Sequence, residues 1–155
     1  MAPKEHHYQV TVKWTGNKGN GTQTYKSYDR SYEMSSTDKP TILGSSDPAF
    51  LGDKTRWNPE DLLLASASAC HKLWYLHLCA VDGISVLSYV DEAEGKMCEG
   101  EKGKFTNIIL KPKITIRDGD DISKAIGLHH KAHELCFIAN SLNFPIECIP
   151  TITQG

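Results

Sequence analysis

The chain contains no CxxC pair, no basic excess, no internal repeat and no long apolar run free of charge, and each absence removes a class of function. Lys and Arg number 17 against 19 Asp and Glu, a formal net charge of -2, so there is no electrostatic footprint for nucleic acid. Five cysteines, an odd count without a CxxC, signal neither a disulfide scaffold nor a zinc ribbon. Met1–Tyr8 is polar and lacks the charged-then-apolar pattern of a secretory signal, so a cytoplasmic location is expected. Leu62–Val81 is mostly apolar and nearly long enough to cross a bilayer, but it carries Lys72, with His71 and His77 close by, and is rich in Ala and Ser. It is expected to be a buried helix rather than a membrane span. The rest is ordinary: 155 residues, 39% hydrophobic and 23% charged, suit a single globular domain over residues 1–155.

Periodicity gives the elements. Tyr8, Val10, Val12 and Trp14 alternate with polar residues and predict a half-buried strand, closed by the turn Gly16–Gly21. A second strand is expected from Thr22 to Met34 and a short third from Thr41 to Leu43. Gly44–Trp57 reads as an irregular loop long enough to be functional. Asn58 as N-cap, Pro59 at the first helical position, and Glu60 and Asp61 in the first turn then open a helix running to about Ala80. It is apolar nearly all round, so protein should surround it, which a dimer achieves more easily than a monomer. A strand over Ile84–Val90 and a partner over Ile108–Ile116 follow, with the hairpin connection somewhere in Glu92–Lys104. Asp118–Asp121 caps a second helix whose stripe holds Ala125, Ala132, Cys136 and Ala139, and Ile146–Ile152 closes the chain as a strand. The order βββ-α-ββ-α-β is an α+β architecture.

Cys70 lies about three turns into the first helix and Cys136 near the end of the second, both on apolar faces, so the two sulfurs meet if the helices pack together. Inert core filling is the other reading of that spacing. A reactive cysteine needs a thiolate. Cys70 is too deep in its helix for the helix dipole to help, so a cation must stabilise it. Arg30, expected on the second strand, and Arg56, just before the helix, are the candidates, with Arg30 preferred because a strand residue can reach across to the helix. Glu60 can hold a guanidinium through paired hydrogen bonds, or can serve only as a first-turn partner of the helix dipole. Glu60 and Cys70 are separated by roughly 15 Å along one helix and about 80° around it, so if they act together one comes from each of two subunits.

The run Asn58-Pro59-Glu60-Asp61-Leu62-Leu63-Leu64-Ala65-Ser66-Ala67-Ser68-Ala69-Cys70 resembles the signature of the OsmC/Ohr family: NPE, an apolar run and a cysteine. Ala132–Ser141 is similar to the family's second cysteine motif, and Gly44–Asp53 resembles one less-studied branch. The resemblance covers nearly the whole chain. It implies an intertwined homodimer in which curved antiparallel sheets wrap two central helices, with two active sites at the interface. It implies that Cys70 attacks a hydroperoxide and becomes a sulfenic acid, that Cys136 resolves it as a disulfide, and that Glu60 orients a catalytic arginine. Organic hydroperoxides are then the preferred substrates over hydrogen peroxide, a dithiol (lipoyl-type in the best-known members) is the reductant, and no cofactor or metal is required. Two features depart from the family pattern. Phe137 stands where a proline usually follows the second cysteine, and the usual arginine positions have no clear match.

Phe50, Trp57, Trp74 and Phe144 are candidates for an apolar site lining, or plain core. Two rival functions remain. His129, His133 and Cys136 fall at i, i+4 and i+7 on one helical face, a spacing that can hold a metal with His71 or a carboxylate as fourth ligand. Alternatively the dimer is non-catalytic and binds a small apolar ligand. Cys79, opposite Cys70 on its helix, Cys98 in a polar connection and Cys148 in the last strand are given no role.

Overall fold

The computed structural model describes every residue from Met1 to Gly155. Its internal contacts divide it into two compact units, residues 1–62 and 63–155.

The N-terminal unit is a three-stranded antiparallel meander of β1 (Thr11–Trp14), β2 (Tyr32–Ser35) and β3 (Ile42–Gly44), with Val12 opposite Met34 and Met34 opposite Ile42. The strand expected over Thr22–Met34 is shorter than the sequence implied. Residues 21–28 fold into turns, where the Ser27 hydroxyl bonds the carbonyls of Gly21 and Thr24 and accepts from the Thr24 N–H, so pairing starts only at Tyr32. Arg30 therefore precedes the strand instead of lying on it. β1 was expected to be half-buried, yet Val10, just before it, and Val12 are 68% and 61% exposed. The loop after β3 holds a single 3-10 turn at Pro48–Phe50, capped by Asp47, whose carboxylate accepts the Ala49 N–H.

Helix α1 (Pro59–Val81) begins where the cap residues place it. The Asn58 side chain accepts the Asp61 N–H at 2.8 Å and the Asp61 carboxylate accepts the Asn58 N–H at 3.3 Å, a reciprocal cap. The helix ends before Gly83, whose φ of 77° a side chain would strain. No helix is long and apolar enough to cross a membrane.

The C-terminal unit builds on one long bent hairpin. β4 (Val86–Asp91) and β5 (Glu94–Cys98) run down one side, and β6 (Lys104–Leu110) and β7 (Pro112–Ile116) return on the other. The segment expected to hold the hairpin connection does so at residues 99–103, and the rest of it adds a strand, β5, that was not expected. β8 (Ile146–Cys148) and β9 (Thr151–Gln154) then add in parallel to β6 and β7, where antiparallel pairing was expected. Ile108 faces Ile146 and Ile116 faces Gln154 in one unbroken register, which sets Pro112 opposite Pro150. Neither proline can donate a ladder bond, so each strand the sequence read as continuous divides there. The result is two three-stranded sheets, β4-β7-β9 and β5-β6-β8.

Between them in sequence lie α2 (Ile122–Leu135), capped by Asp121, and the one-turn α3 (Phe137–Asn140). One core gathers Tyr75, Leu78, Cys79, Ile114, Ile116, Ala125, Leu128 and Ala132; a second gathers Ala67, Ile108 and Leu110 with Phe105, Ile138 and Phe144 around them.

Candidate active site

The second cysteine owes its place to a helix that stops early. α2 ends at Leu135, and Cys136 takes an extended conformation (φ -68°, ψ 112°) that makes it at once the C-cap of α2 and the N-cap of α3. Its Sγ accepts the Ala139 N–H at 3.4 Å. The residue is buried, and Phe137 occupies the first position of α3, where a proline also fits without loss of a bond. The Phe137 departure is therefore compatible with the same turn.

Cys70 approaches this turn from α1. Ala67, Cys70 and Trp74 share one helical face. Ala67 belongs to the core that includes Ile138, and Trp74 meets the Phe137 ring edge-on at 5.6 Å. Between these two contacts the half-buried Cys70 thiol is a neighbour of Cys136. Burial pushes the Cys136 thiol up to about 11, and the neighbouring Cys70 adds to the rise while the Ala139 N–H opposes it. Cys70 and Cys136 are thus neighbours brought from separate elements, with Cys136 at the break after α2 rather than on its stripe.

The charged candidates lie in the N-terminal unit. Arg30 is tied to its own turn: its guanidinium donates to the Tyr28 carbonyl at 2.6 Å and to the Tyr25 carbonyl, and sits 4.1 Å and 4.5 Å from the Tyr28 and Tyr25 ring centres. Arg56 pairs with Asp53 at 3.8 Å and donates to the Tyr32 carbonyl at 3.4 Å. Glu60 also borders Tyr32, where its charge, after burial, raises the phenol's pKa. Arg56 and Glu60 are thus both neighbours of Tyr32. Phe50 and Trp57 are exposed in this unit, whereas Phe144 stacks on Phe105 in the second core.

The metal constellation read from the sequence does not assemble. His133 is exposed, and Cys136 leaves the helical face at the C-cap, so the i+7 position is no longer above His129. His129 instead meets His71 and Cys148, a residue to which the sequence assigned no role. Only the inward alternation of Ile146 and Cys148 on β8 pointed to it, and the strand's partner is a matter of topology.

The profile of the OsmC-like protein family matches residues 52–150. An uncharacterised protein of Bacillus subtilis, YmaD, is 26% identical over 92% of this chain and 91% of its own length. Among solved structures, an OsmC-like protein of unknown function from Vibrio cholerae superposes with a TM-score of 0.85 at 28% identity, covering 95% of this chain and all of the other. The organic hydroperoxide resistance protein OhrB of Bacillus subtilis shares the fold at 19% identity and a TM-score of 0.62, covering 94% and 98% of the two chains.

Proposed function

As the chain belongs to the OsmC-like family, we propose that it is a thiol-dependent peroxidase that reduces organic hydroperoxides, and hydrogen peroxide less well, as a cytoplasmic homodimer. What carries this reading is that Cys70 of α1 and Cys136 at the turn after α2 are neighbours, Cys70 adding to the rise in the Cys136 pKa. The Cys70 thiolate attacks one peroxide oxygen, the O–O bond breaks, and the departing alkoxide takes a proton to leave as alcohol. Cys70 is then a sulfenic acid. The Cys136 thiol displaces its hydroxyl as water, forming the disulfide. A dithiol reductant, lipoyl-type in chemistry, exchanges with that disulfide and restores both thiols. Burial keeps Cys136 protonated at neutral pH, which suits the second cysteine of the cycle rather than the first.

Activation of Cys70 requires a guanidinium. Of the two candidates Arg56 has the better support, since it shares Tyr32 with Glu60, whereas Arg30 is held against its own turn by two hydrogen bonds and two aromatic rings. Glu60 and its arginine act, in this reading, on the Cys70 of the other copy in the dimer.

Stopped-flow consumption of cumene hydroperoxide tests the proposal. Cys70→Ser should abolish turnover, and Cys136→Ser should complete one turnover and stall as a sulfenic acid that dimedone traps. Peroxidase activity that survives Cys70→Ser, or a wild-type single turnover without a Cys70–Cys136 disulfide in its mass spectrum, overturns it.

A further inference from the structure

One face round from Cys70, the buried side of α1 carries a second cluster that the peroxidase cycle does not use. The His71 Nε2 and His129 Nδ1 lie 2.9 Å apart, and the Cys148 Sγ is 3.7 Å and 3.6 Å from those same atoms. Three elements converge: α1 brings His71, α2 brings His129, and the end of β8 brings Cys148. His71 and His129 are 2% and 4% exposed. Tyr75, one turn beyond His71, stacks on the His129 ring at 3.9 Å and anchors its own hydroxyl on the Ala125 carbonyl at 3.1 Å, which fixes the His129 ring plane.

As a hydrogen-bonded cluster alone this arrangement is poorly satisfied. The two imidazoles share one proton, but the thiol sits at long range from both nitrogens, and the buried His129 Nε2 has no partner. An unsatisfied buried polar atom costs about 1–3 kcal/mol. The same atoms are the donor set of a borderline-to-soft metal ion. With metal–nitrogen bonds of about 2.0–2.1 Å and a metal–sulfur bond of about 2.3 Å, a tetrahedral ion wants N–N near ~3.3 Å and N–S near ~3.5 Å. The two N–S separations already match, and the N–N pair must open by about 0.4 Å, with a tilt of the two near-parallel rings.

We propose that His71, His129 and Cys148 form a transition-metal site for an ion of the zinc(II) class, distinct from the Cys70–Cys136 pair. Two imidazoles and a thiolate exclude hard ions such as magnesium and calcium. On binding, the Cys148 thiol releases its proton to solvent as the sulfur–metal bond forms. The proton between the imidazoles moves to an outer ring nitrogen, so each ring offers a lone pair inward and no electron changes hands. The Asp91 carboxylate, whose charge is felt at both His71 and Cys148, offsets the positive charge brought in. A cavity of about 380 Å³ lined by His129, His130, His133, Glu147 and Cys148 supplies the way in and room for a fourth ligand.

The test is titration of tag-free, reduced, full-length protein with cobalt(II), followed by zinc(II) competition. One equivalent of cobalt should give a near-ultraviolet thiolate-to-metal charge-transfer band that zinc abolishes. The His6 and His7 pair at the N-terminus cannot produce that band because it carries no sulfur. Cys148→Ser should lose the band and weaken zinc affinity at least tenfold, and His71→Asn should weaken it comparably, with folding of each checked by circular dichroism. Cys70→Ser/Cys136→Ser should keep band and affinity. Absence of the band in folded wild-type protein overturns the site, a result that needs no variant to fold. Its persistence in Cys148→Ser, or its loss in the Cys70→Ser/Cys136→Ser variant, does the same by assigning the metal to other cysteines.

Discussion

Cys136 and Cys98 carry the same thiol in opposite surroundings. Cys98 is exposed at the end of β5, whereas Cys136 is buried at the turn between α2 and α3 with its pKa pushed up to about 11. Only the thiolate alkylates. The folded-state value lies above the free one of about 8.5, so at neutral pH the Cys136 thiolate is a fraction on the order of 10⁻⁴. Its rate with iodoacetamide should therefore rise about tenfold for each pH unit from 7 and level off only near 11, while Cys98 reacts promptly throughout. Peptide mapping after timed alkylation of the reduced protein reads both rates in one sample, and denaturant should erase the difference. Equal rates in the folded protein at pH 7.5 would contradict the burial of Cys136 and, with it, its assignment as the cysteine that reacts second. The Cys70 and Cys136 positions were legible in the sequence because each lies in a motif. Cys148 was not, since a strand cysteine finds its neighbours through sheet order, and nothing in Ile146–Cys148 names His71 or His129.

At the scale of elements, Tyr75 joins α1 to α2 twice, by its ring on His129 and by its hydroxyl on the Ala125 carbonyl. The two contributions are separable. Tyr75→Phe removes a buried hydrogen bond and keeps the ring, and should cost about 1 kcal/mol. Tyr75→Ala empties a fully buried ring site and should cost about 3–5 kcal/mol. Urea denaturation distinguishes them, and equal losses would mean that the ring contributes nothing to the packing of the two helices. Local chemistry announced the helix starts: Asn58 and Asp121 cap α1 and α2 as their residue types predict. The end of α2 was hidden, because its apolar stripe continues through Ala139 while the backbone turns at Cys136 to satisfy a second, shorter helix. β5 was hidden for the opposite reason. Every residue of Glu94–Cys98 is exposed, so no apolar alternation marks it, and backbone pairing with β6 alone makes it a strand. Pro112 and Pro150 were plain to see, yet that they face each other and divide two sheets follows only from the parallel register.

For the whole molecule, the apolar surface of one chain argues for a second copy. Leu73 on α1 is 62% exposed and Phe137 beside Cys136 is 70% exposed, in addition to the bare β1. Such groups sit singly on many surfaces, but Leu73 and Phe137 belong to the elements that carry the proposed cysteines. If the dimer assembles each site from the Glu60 of one copy and the Cys70 of the other, two dead variants can rescue each other. Glu60→Gln retains Cys70, and Cys70→Ser retains Glu60, so a mixed dimer contains one site with both wild-type groups and one with neither. Random reassociation of equal amounts makes half of the dimers mixed, and half of their sites whole, so about a quarter of the wild-type peroxidase activity should return. Mixed dimers are counted by native mass spectrometry, using a tag on one variant. Should they form in full and remain inactive, Glu60 and Cys70 do not meet across an interface, and the proposed role of Glu60 falls. Because Cys70 and Glu60 are roughly 15 Å apart on one continuous helix, recovery on mixing is a result that sites built within single chains cannot produce.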